Sequence, residues 1–488
     1  MNTPRDLSAL FNPRGVVIAG ASTHPGKFGF VALHNVLAAG YSGPVFAINR
    51  EGEEILGVKS LRSADELPDR AADLVFVCTP AAANPDLLRA CAAKGVRAAF
   101  VASAGYGEAG PEGLEAQRRL AALADELGMV LAGPNGQGVV SPPAKLCAQI
   151  VGPNPPVGRI GVASQSGNFV SSFLNYACAT GVGISRAVSA GNAAQLGVAD
   201  YLAWMATDPE TAVGLAYVEG VGNGKAMFDT LRDVSSSMPV VMVKGGASSA
   251  GQRAAASHTG SLASNDRIFN GAARQAGVIR MPTIESAFEA AATLATQPLP
   301  RGNRVAVVTT VGGWGVVTAD ALASTRLQLA PLPDDLRDDI DTLLPPRWSR
   351  NNPIDLAGGE TRDTIPAVLD LVGAHPDIDA VIVLGTGIQS NQARLMRDGR
   401  FYPDHGLERM VSFHERQDAR YVQEALRIRD QHDKPVLIAT ELAAAFADNP
   451  APATTRAAGA LCYPSANRAV VALDALYRYA RWRTARAV

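Results

Sequence analysis

Charge is scarce in this sequence. Only 18% of its 488 residues are charged, and the 44 basic and 46 acidic side chains nearly cancel. That excludes a disordered, tail-like chain, which would be rich in charge and poor in apolar groups. No run of lysine and arginine forms a basic stripe, so the electrostatic footprint of a nucleic-acid-binding protein is missing and any anionic ligand has to be held by local geometry. Cysteine is rare too. Cys78, Cys91, Cys147, Cys178 and Cys462 are scattered without a CxxC pair, which argues against a disulfide framework and against a zinc site and leaves reduced thiols in a cytoplasm as the expectation. Long apolar runs are also lacking. The opening MNTPRDLSALFNPRG has no signal-peptide core, and no stretch reaches the ~20 residues that a membrane helix needs. These absences predict a cytoplasmic protein with no metal site, no membrane association and no nucleic-acid partner.

What is present is apolar sequence arranged in short blocks. Hydrophobic residues make up 47%, and the length suits about three domains of the usual ~100–200 residues. From residue 14 the β-rich runs RGVVIAG, PVFAIN, ADLVFVCTP, RAAFVAS and MVLAGPN alternate with Ala/Leu-rich helical stretches. Buried strands separated by amphipathic helices imply a parallel, doubly wound sheet. After the Pro-rich link PNPPVG the pattern restarts with GRIGVASQSG, GISRAVSAGN, AVGLAYVEG and MPVVMVKGG, and after QPLPRGN it restarts again with RVAVVTTVGGWG, IDAVIVLGTG, KPVLIATE and ALCYPS. The expected fold class is α/β, with three consecutive Rossmann-like or flavodoxin-like domains over residues 1–150, 151–298 and 299–488. A stretch rich in Arg, Asp and Glu, 389–433, adds helices or a long loop to the third domain. It reads either as a solvated surface insertion or as a segment serving oligomer contacts or substrate choice.

Three turns have the chemistry to hold phosphate. The first strand ends in GASTHPGKFG (20–29), a Gly-bearing turn opening a helix, where backbone N–H groups and the helix dipole favour an anion. It is not GxGxxG, and the acidic ribose-binding residue of an NAD domain is replaced by Asn49 and Arg50. A positive group there favours an extra phosphate, as on the ribose of CoA or NADP. In GRIGVASQSGNF, Ser166, Gly167 and Asn168 fall at a helix start, and in VVTTVGGWGVVTADAL the glycines Gly312, Gly313 and Gly315 do the same. Each turn alone also suits a plain βα connection; two such helix starts in separate domains, each able to hold one side of a phosphate, form a pattern.

The segment KGGASSAGQRAAASHTGSLASND follows a strand and is crowded with Gly, Ala and Ser, a composition that suits a loop, with His258 at its centre. A histidine is commonly a hydrogen-bonded structural residue. Imidazole is also a nucleophile toward a phosphoryl group near neutral pH. Glu219 closes the strand AVGLAYVEG, where ligand groups collect in α/β sheets, and a carboxylate there is able to fix the tautomer of His258. A strand-terminal charge in solvent is the plainer alternative.

With these motifs in hand, the chain resembles the alpha-type subunits of the NDP-forming (ADP-forming) acyl-CoA synthetases, in the succinyl-CoA synthetase superfamily. The resemblance covers nearly the whole chain and rests on GASTHPGKFG, GPNGQGV (133–139), GRIGVASQSGN, SAGN (189–192), YVEG, SHTGSLA (257–263), GGWG, NPIDL (352–356) and YPSANRAVVAL. It implies that His258 is the phosphorylated histidine and Glu219 its stabilising carboxylate, and that Ser166, Gly167 and Asn168 with Gly313, Trp314 and Gly315 are the helix starts that cradle phosphate. It also implies that Ser22, Thr23, His24, Pro25, Lys27, Arg50, Ala102, Ser103 and Ala104 lie where coenzyme A is held. Two departures stand out: Gln195, where an acidic residue is frequent, and Trp314, where a small residue or proline is. Both bear on the choice of acid.

The ATP-grasp module that binds ATP in this family is not in the sequence. The resemblance therefore implies a separate ATP-grasp (beta-type) subunit carrying Mg-ATP, a small carboxylic acid as substrate, and a hetero-oligomer such as α2β2. The expected reaction joins a carboxylic acid to CoA at the expense of ATP, releasing ADP and phosphate. Two other readings compete. A nicotinamide-dependent dehydrogenase lacks its fingerprint here, and a non-catalytic CoA or acyl-CoA sensor would not need His258, Glu219 and both helix starts.

Overall fold

The computed structural model describes residues 4–251, 253, 265–356 and 363–487. The chain divides into two compact units, residues 1–179 with 183–291 and residues 180–182 with 292–488. The first unit contains two principal sheets. Its first sheet is built from β1 (Val16–Ala19), β2 (Val45–Ile48), β5 (Leu74–Val77), β6 (Ala98–Val101) and β7 (Val130–Ala132), all parallel, in the order β2-β1-β5-β6-β7. A small hairpin, β3 (Glu54–Ile55) and β4 (Val58–Lys59), lies off this sheet.

The second sheet has seven strands: β8 (Gly138–Ser141), β9 (Leu146–Gln149), β10 (Val157–Ser164), β11 (Ile184–Ser189), β12 (Val213–Val218), β13 (Val240–Lys244) and β14 (Ile279–Arg280). Strands β10 to β14 are parallel in the order β11-β10-β12-β13-β14, and the antiparallel hairpin β8–β9 extends the sheet beyond β11. In the second unit, β15 (Arg304–Thr309), β16 (Gln328–Leu329), β18 (Ala380–Leu384), β19 (Val436–Ala439) and β20 (Cys462–Tyr463) run parallel in the order β16-β15-β18-β19-β20, while β17 (Ile354–Asp355) pairs with the end of β15.

Numbered within each sheet, all three parallel sets have the order 2-1-3-4-5 of flavodoxin-like folds. The first strand sits at the point where the winding reverses, and it is there, beyond the carboxyl ends, that such sheets open a crevice. The strands are near-continuous apolar runs because helices cover both faces. Every residue of β1 and of β5 is fully buried, each such Val or Leu contributing about 1.5–3 kcal/mol of transfer free energy. Alternate residues face opposite ways. Val16, Ile18, Leu74, Phe76 and Phe100 enter a core that continues into Ala163, Val188, Ala216 and Met242 of the second sheet, whereas Val17, Val75, Val77 and Val101 enter a separate core under the other helices. This shared core is why the first two sheets form one compact unit.

A brace recurs at the amino edges. Asp73, just before β5, accepts the backbone N–H and Nε–H of Arg14 at 2.9 and 2.8 Å, and Asp379, just before β18, accepts those of Arg304 at 2.9 Å each. Each fixes the first strand of a sheet against the third by charge-assisted bonds.

The segment 389–433 is not a solvated appendage. It forms most of the helix Ile388–Arg397 and the long helix Leu407–His432, which together connect β18 to β19. Val411, Tyr421, Val422, Ala425 and Ile428 of the long helix are buried, most of them in the core of the second unit. Most of its charges occupy the opposite face, the usual division in an amphipathic helix, with Asp418 an exception on the buried side.

Candidate active site

At the reversal point of the second sheet, β10 ends in Ser164 and the helix Gly167–Thr180 begins three residues later. The buried Ser164 hydroxyl donates to the carbonyl of Ser166 at 2.7 Å and accepts its N–H at 3.1 Å, fixing the turn. This aims the first-turn N–H groups of the helix, which have no intrahelical partners, beyond the strand ends. Asn168 is exposed, and its side-chain oxygen accepts a hydrogen bond from Gln137 at 3.0 Å. A Cβ at Gly167 would land 2.3 Å from the Gln137 side chain, so a larger residue there would displace the glutamine that crosses this helix start.

Gln165 ties the two central strands together. Its Oε1 accepts the N–H groups of Glu219 and Gly220 at 2.5 and 3.1 Å, and its Nε2 donates to the Gly220 carbonyl at 3.0 Å. Glu219 thus leaves β12 in a fixed direction. The Tyr217 hydroxyl donates to its carboxylate at 3.0 Å; burial, and then the negative charge of Glu219, pushes that phenol well above its ordinary pKa, so it stays a donor. Lys244, the last residue of β13, donates to the carbonyls of Glu219 (2.9 Å) and Gly245. Burial lowers its ammonium below the usual lysine range. A cavity of about 280 Å3 lies here, lined in part by Gln165, Gly197, Val198, Gly220 and Asn223. His258 and the SHTGSLA segment lie outside the described residues.

The third sheet repeats the device. The Thr309 hydroxyl, at the end of β15, donates to the carbonyl of Val311 and accepts its N–H, both at 2.9 Å, and the helix Gly312–Ala323 follows. The N–H groups of Trp314 and Gly315 donate back to Val311. Among the described residues the Gly312 and Gly313 amides have no such bond; the sequence expectation at this helix start names Gly313, Trp314 and Gly315. Gly315 is buried, its Cα against Pro353, where an added Cβ would meet that ring at 3.0 Å.

The NPIDL motif builds the flank of this turn. Strands β16 and β17 share one side of β15, and Asn352 fills the gap between them: its Oδ1 accepts the Val307 N–H at 2.9 Å and its Nδ2 donates to the carbonyls of Val305 and Ala330 at 2.8 Å each. A carboxamide, with both acceptor and donors, is the side chain that matches this demand. Beyond it, Asp355 approaches the helix start, such that a Cβ on Gly312 would meet its carboxylate at 2.5 Å.

In the first sheet, residues 22–27 leave β1 at the reversal point and the helix Phe28–Ala38 follows. The turn is braced by its own side chains, with His24 N–H on the Ser22 hydroxyl (3.1 Å) and Gly26 N–H on His24 Nδ1 (3.0 Å). Asn49 staples it from the next strand, donating to the Ala21 carbonyl at 2.9 Å. A Cβ on Gly29 would sit 2.0 Å from the Gly20 carbonyl, so the helix start packs directly on the strand end. Thr23, His24, Pro25, Lys27 and Arg50 are exposed around this turn. Two cations at a helix start fit a ligand with several phosphates. Ala102 is buried and the Ser103 hydroxyl accepts from the buried Asn84 at 3.1 Å, leaving Ala104 as the exposed residue of that group.

GPNGQGV and SAGN turn out to interlock. The Asn192 and Ala194 N–H groups donate to the carbonyls of Pro134 and Gly133 at 2.9 and 3.1 Å, and Gly191, with φ of 53°, passes so close that a Cβ would strike the Pro134 carbonyl. Gln195 completes the free edge of β7, accepting the Leu131 N–H at 2.7 Å and donating to the Met129 carbonyl at 3.2 Å. Its side chain is committed to the sheet edge. Gln165, Ser164, Thr309 and Asn352 were missed as site-building residues by motif reading. Aligning VASQSGN with VVTTVGG would have found Ser164 and Thr309, since a hydroxyl stands three positions before the first helical glycine in both.

Residues 14–142 match the family of CoA binding domains, residues 157–294 the succinyl-CoA ligase like flavodoxin domain and residues 305–388 the Ligase-CoA domain. With the fold described above, these matches define the class of three-part CoA ligase chains. Over 483 residues the chain is 33% identical to the alpha subunit of ADP-forming acetate–CoA ligase I of Pyrococcus furiosus, 98% of each chain being covered. It is 34% identical over 380 residues to the ADP-forming acetate–CoA ligase I of Archaeoglobus fulgidus, covering 78% of this chain and 55% of that one. A solved structure from Ca. Korarchaeum cryptofilum, a dinucleotide-forming acetyl-coenzyme A synthetase 1 in complex with phosphate and ADP, superposes with a TM-score of 0.82 at 31% identity, covering 98% of both chains. The chain belongs to the NDP-forming acyl-CoA synthetases, as an alpha-type chain of an ADP-forming acid–CoA ligase.

Proposed function

We propose that this chain is the CoA-binding, phosphohistidine-carrying subunit of an ADP-forming acyl-CoA synthetase and that His258 is the residue phosphorylated. The single observation that carries the reading is the repeated, hydroxyl-braced helix start at a sheet reversal point, at Gly167 and again at Gly312. Each offers fixed amide dipoles to a phosphoryl group, stabilisation that costs no reorganisation during transfer. The γ-phosphoryl group of Mg-ATP, bound on a separate ATP-grasp subunit, passes to the imidazole of His258 and releases ADP. It then passes to a carboxylate oxygen of the acid, giving an acyl phosphate. The CoA thiol, losing its proton, attacks the acyl carbon, and inorganic phosphate leaves. Dividing the condensation this way is covalent catalysis.

Within this scheme Glu219, held by Gln165 and Tyr217, orients the His258 ring. Residues Ser166, Gly167 and Asn168, and Gly312 with Gly313, receive phosphate at their respective helix starts. Coenzyme A lies along residues 22–25 with Lys27 and Arg50. The separate partner is supported by the likeness over 98% of both chains to the alpha subunit of the Pyrococcus furiosus ligase. Assembly as α2β2 in the cytoplasm, with a small carboxylic acid as substrate, completes the proposal. Replacing His258→Asn in the assembled enzyme is expected to abolish ATP-dependent acyl-CoA formation and to leave CoA affinity within about twofold, since a group acting only in phosphoryl transfer adds nothing to uniform binding. Acyl-CoA formation that persists in the variant overturns the assignment.

A further inference from the structure

Between the ends of β15 and β18 in the second unit is a cavity of about 150 Å3. Much of its wall is apolar, from residues such as Leu356, Ile365 and Val383, and Thr310 and Val311, which precede the helix start at Gly312, also line it. Two residues of this lining carry a buried side-chain atom with no hydrogen-bond partner among the described residues: the hydroxyl of Thr386, a residue only 4% exposed, and the side-chain oxygen of Gln389. Native proteins rarely leave buried polar groups unpaired, and those that remain ask for a ligand or water. The arrangement is held deliberately. Asp418, buried on the helix Leu407–His432, accepts the Ser390 N–H at 2.6 Å and so fixes the first turn of the helix that carries Gln389.

We propose that this cavity receives the far end of the carboxylic acid and selects acids that carry a hydroxyl group there, with Thr386 and Gln389 as its hydrogen-bond partners and Asp418 as a positioning residue. The inference rests on the acyl-CoA synthetase reading. At about 30 Å3 per small non-hydrogen group the space holds roughly five such atoms, enough for the tail of a short acid. An unsubstituted alkyl tail would satisfy the apolar wall and leave both polar atoms buried and dry. A hydroxyl both donates and accepts, so it pairs with the threonine oxygen and with the glutamine amide. Sites built around a substrate hydroxyl reject analogues that lack it far more strongly than apolar pockets reject a missing methylene.

The test uses the full chain and two acids with the same number of non-hydrogen atoms, 4-hydroxybutyrate and pentanoate, titrated by ligand-observed NMR. The expected result is binding of 4-hydroxybutyrate about tenfold or more tighter than pentanoate, the discrimination a buried hydroxyl partner confers. Thr386→Val, isosteric and therefore conservative for folding, should reduce the preference, and Thr386→Val with Gln389→Leu should erase or reverse it. Equal or tighter binding of pentanoate by the unmodified chain overturns the proposal, as do binding of neither acid and a preference that survives in the double variant. The readout needs no ATP. Hydroxyl preference without acyl-CoA formation by the assembled enzyme would leave the pocket standing and sink the synthetase reading, and acyl-CoA formation without preference would do the reverse.

Discussion

Replacing Asn352→Ala should loosen the third sheet while leaving the other two intact. The carboxamide makes three bonds of 2.8 to 2.9 Å to the Val307 N–H and to the carbonyls of Val305 and Ala330, and the residue is 5% exposed. Alanine leaves the Val307 N–H and the Ala330 carbonyl without this partner, at about 1–3 kcal/mol each, and removes a further bond of about 1 kcal/mol from the Val305 carbonyl, which keeps the Ala330 N–H at 3.0 Å. Allowing for partial relaxation, the loss is roughly 3–6 kcal/mol, a large part of the ~5–15 kcal/mol that keeps a typical domain folded. Hydrogen exchange read by mass spectrometry on peptides covering β15 and β18 is the direct assay. Every ~1.4 kcal/mol of opening free energy is a factor of ten, so exchange there should accelerate by about two to four orders of magnitude, with β1 and β10 unchanged. Asn352→Asp keeps an acceptor for Val307 but sets a carboxylate against two carbonyls, and should cost at least as much. Acceleration of less than about threefold in Asn352→Ala would refute the reasoning, because it would mean that the three bonds have no net worth in place.

Gln165→Leu removes the clasp on Glu219 and Gly220; acyl-CoA formation by the assembled enzyme should fall about tenfold or more with CoA affinity retained, as measured by steady-state rates and a CoA titration. Arg50→Ala should weaken CoA more than dephospho-CoA in calorimetric titrations, since the exposed guanidinium is assigned to the extra phosphate. Equal losses for the two ligands would remove that assignment. Asp73 supplies a pH dependence. The hydrogen bonds from Arg14 hold its carboxyl at about 2, below the ordinary value of 3.8. Its stabilisation is therefore complete above the unfolded value and is lost as pH falls from there toward 2. Asp73→Asn should flatten the acid limb of thermal stability across that window, measured by calorimetry.

The strands were legible because they are apolar runs buried on both faces, and the helix starts because glycine clusters follow those runs directly. The order of strands was not, since 2-1-3-4-5 depends on which crossover packs beside which, and nothing in RGVVIAG or RVAVVTTVG states its neighbour. Residues 389–433 looked like a surface appendage because charge dominates their composition. Their apolar positions are spaced along a helix of 26 residues, Leu407–His432, and the face that buries Tyr421 and Val422 is hidden by the charges between them. SAGN and GPNGQGV were visible as motifs without a reason. Their reason is contact over 57 residues of sequence, Asn135 to Asn192 at 3.3 Å, which no local pattern encodes. Gln195, taken as a variation near the acid, instead completes the edge of β7. The place of Glu219 at a strand end is legible in the sequence, but the Gln165 clasp that directs it is not, because a glutamine after a strand has no characteristic spacing.

The central claim is that this chain carries the phosphoryl group in transit. The most direct measurement is to recover the chain with whatever ATP-grasp subunit co-purifies, add Mg-ATP labelled at the γ-phosphorus, and follow acid-labile label on this chain beside a His258→Ala control. The account predicts label on the unmodified chain, discharged by adding ADP, and none on the control. Label that persists in the control, or a chain that turns over acid, CoA and ATP without ever becoming labelled, would contradict it.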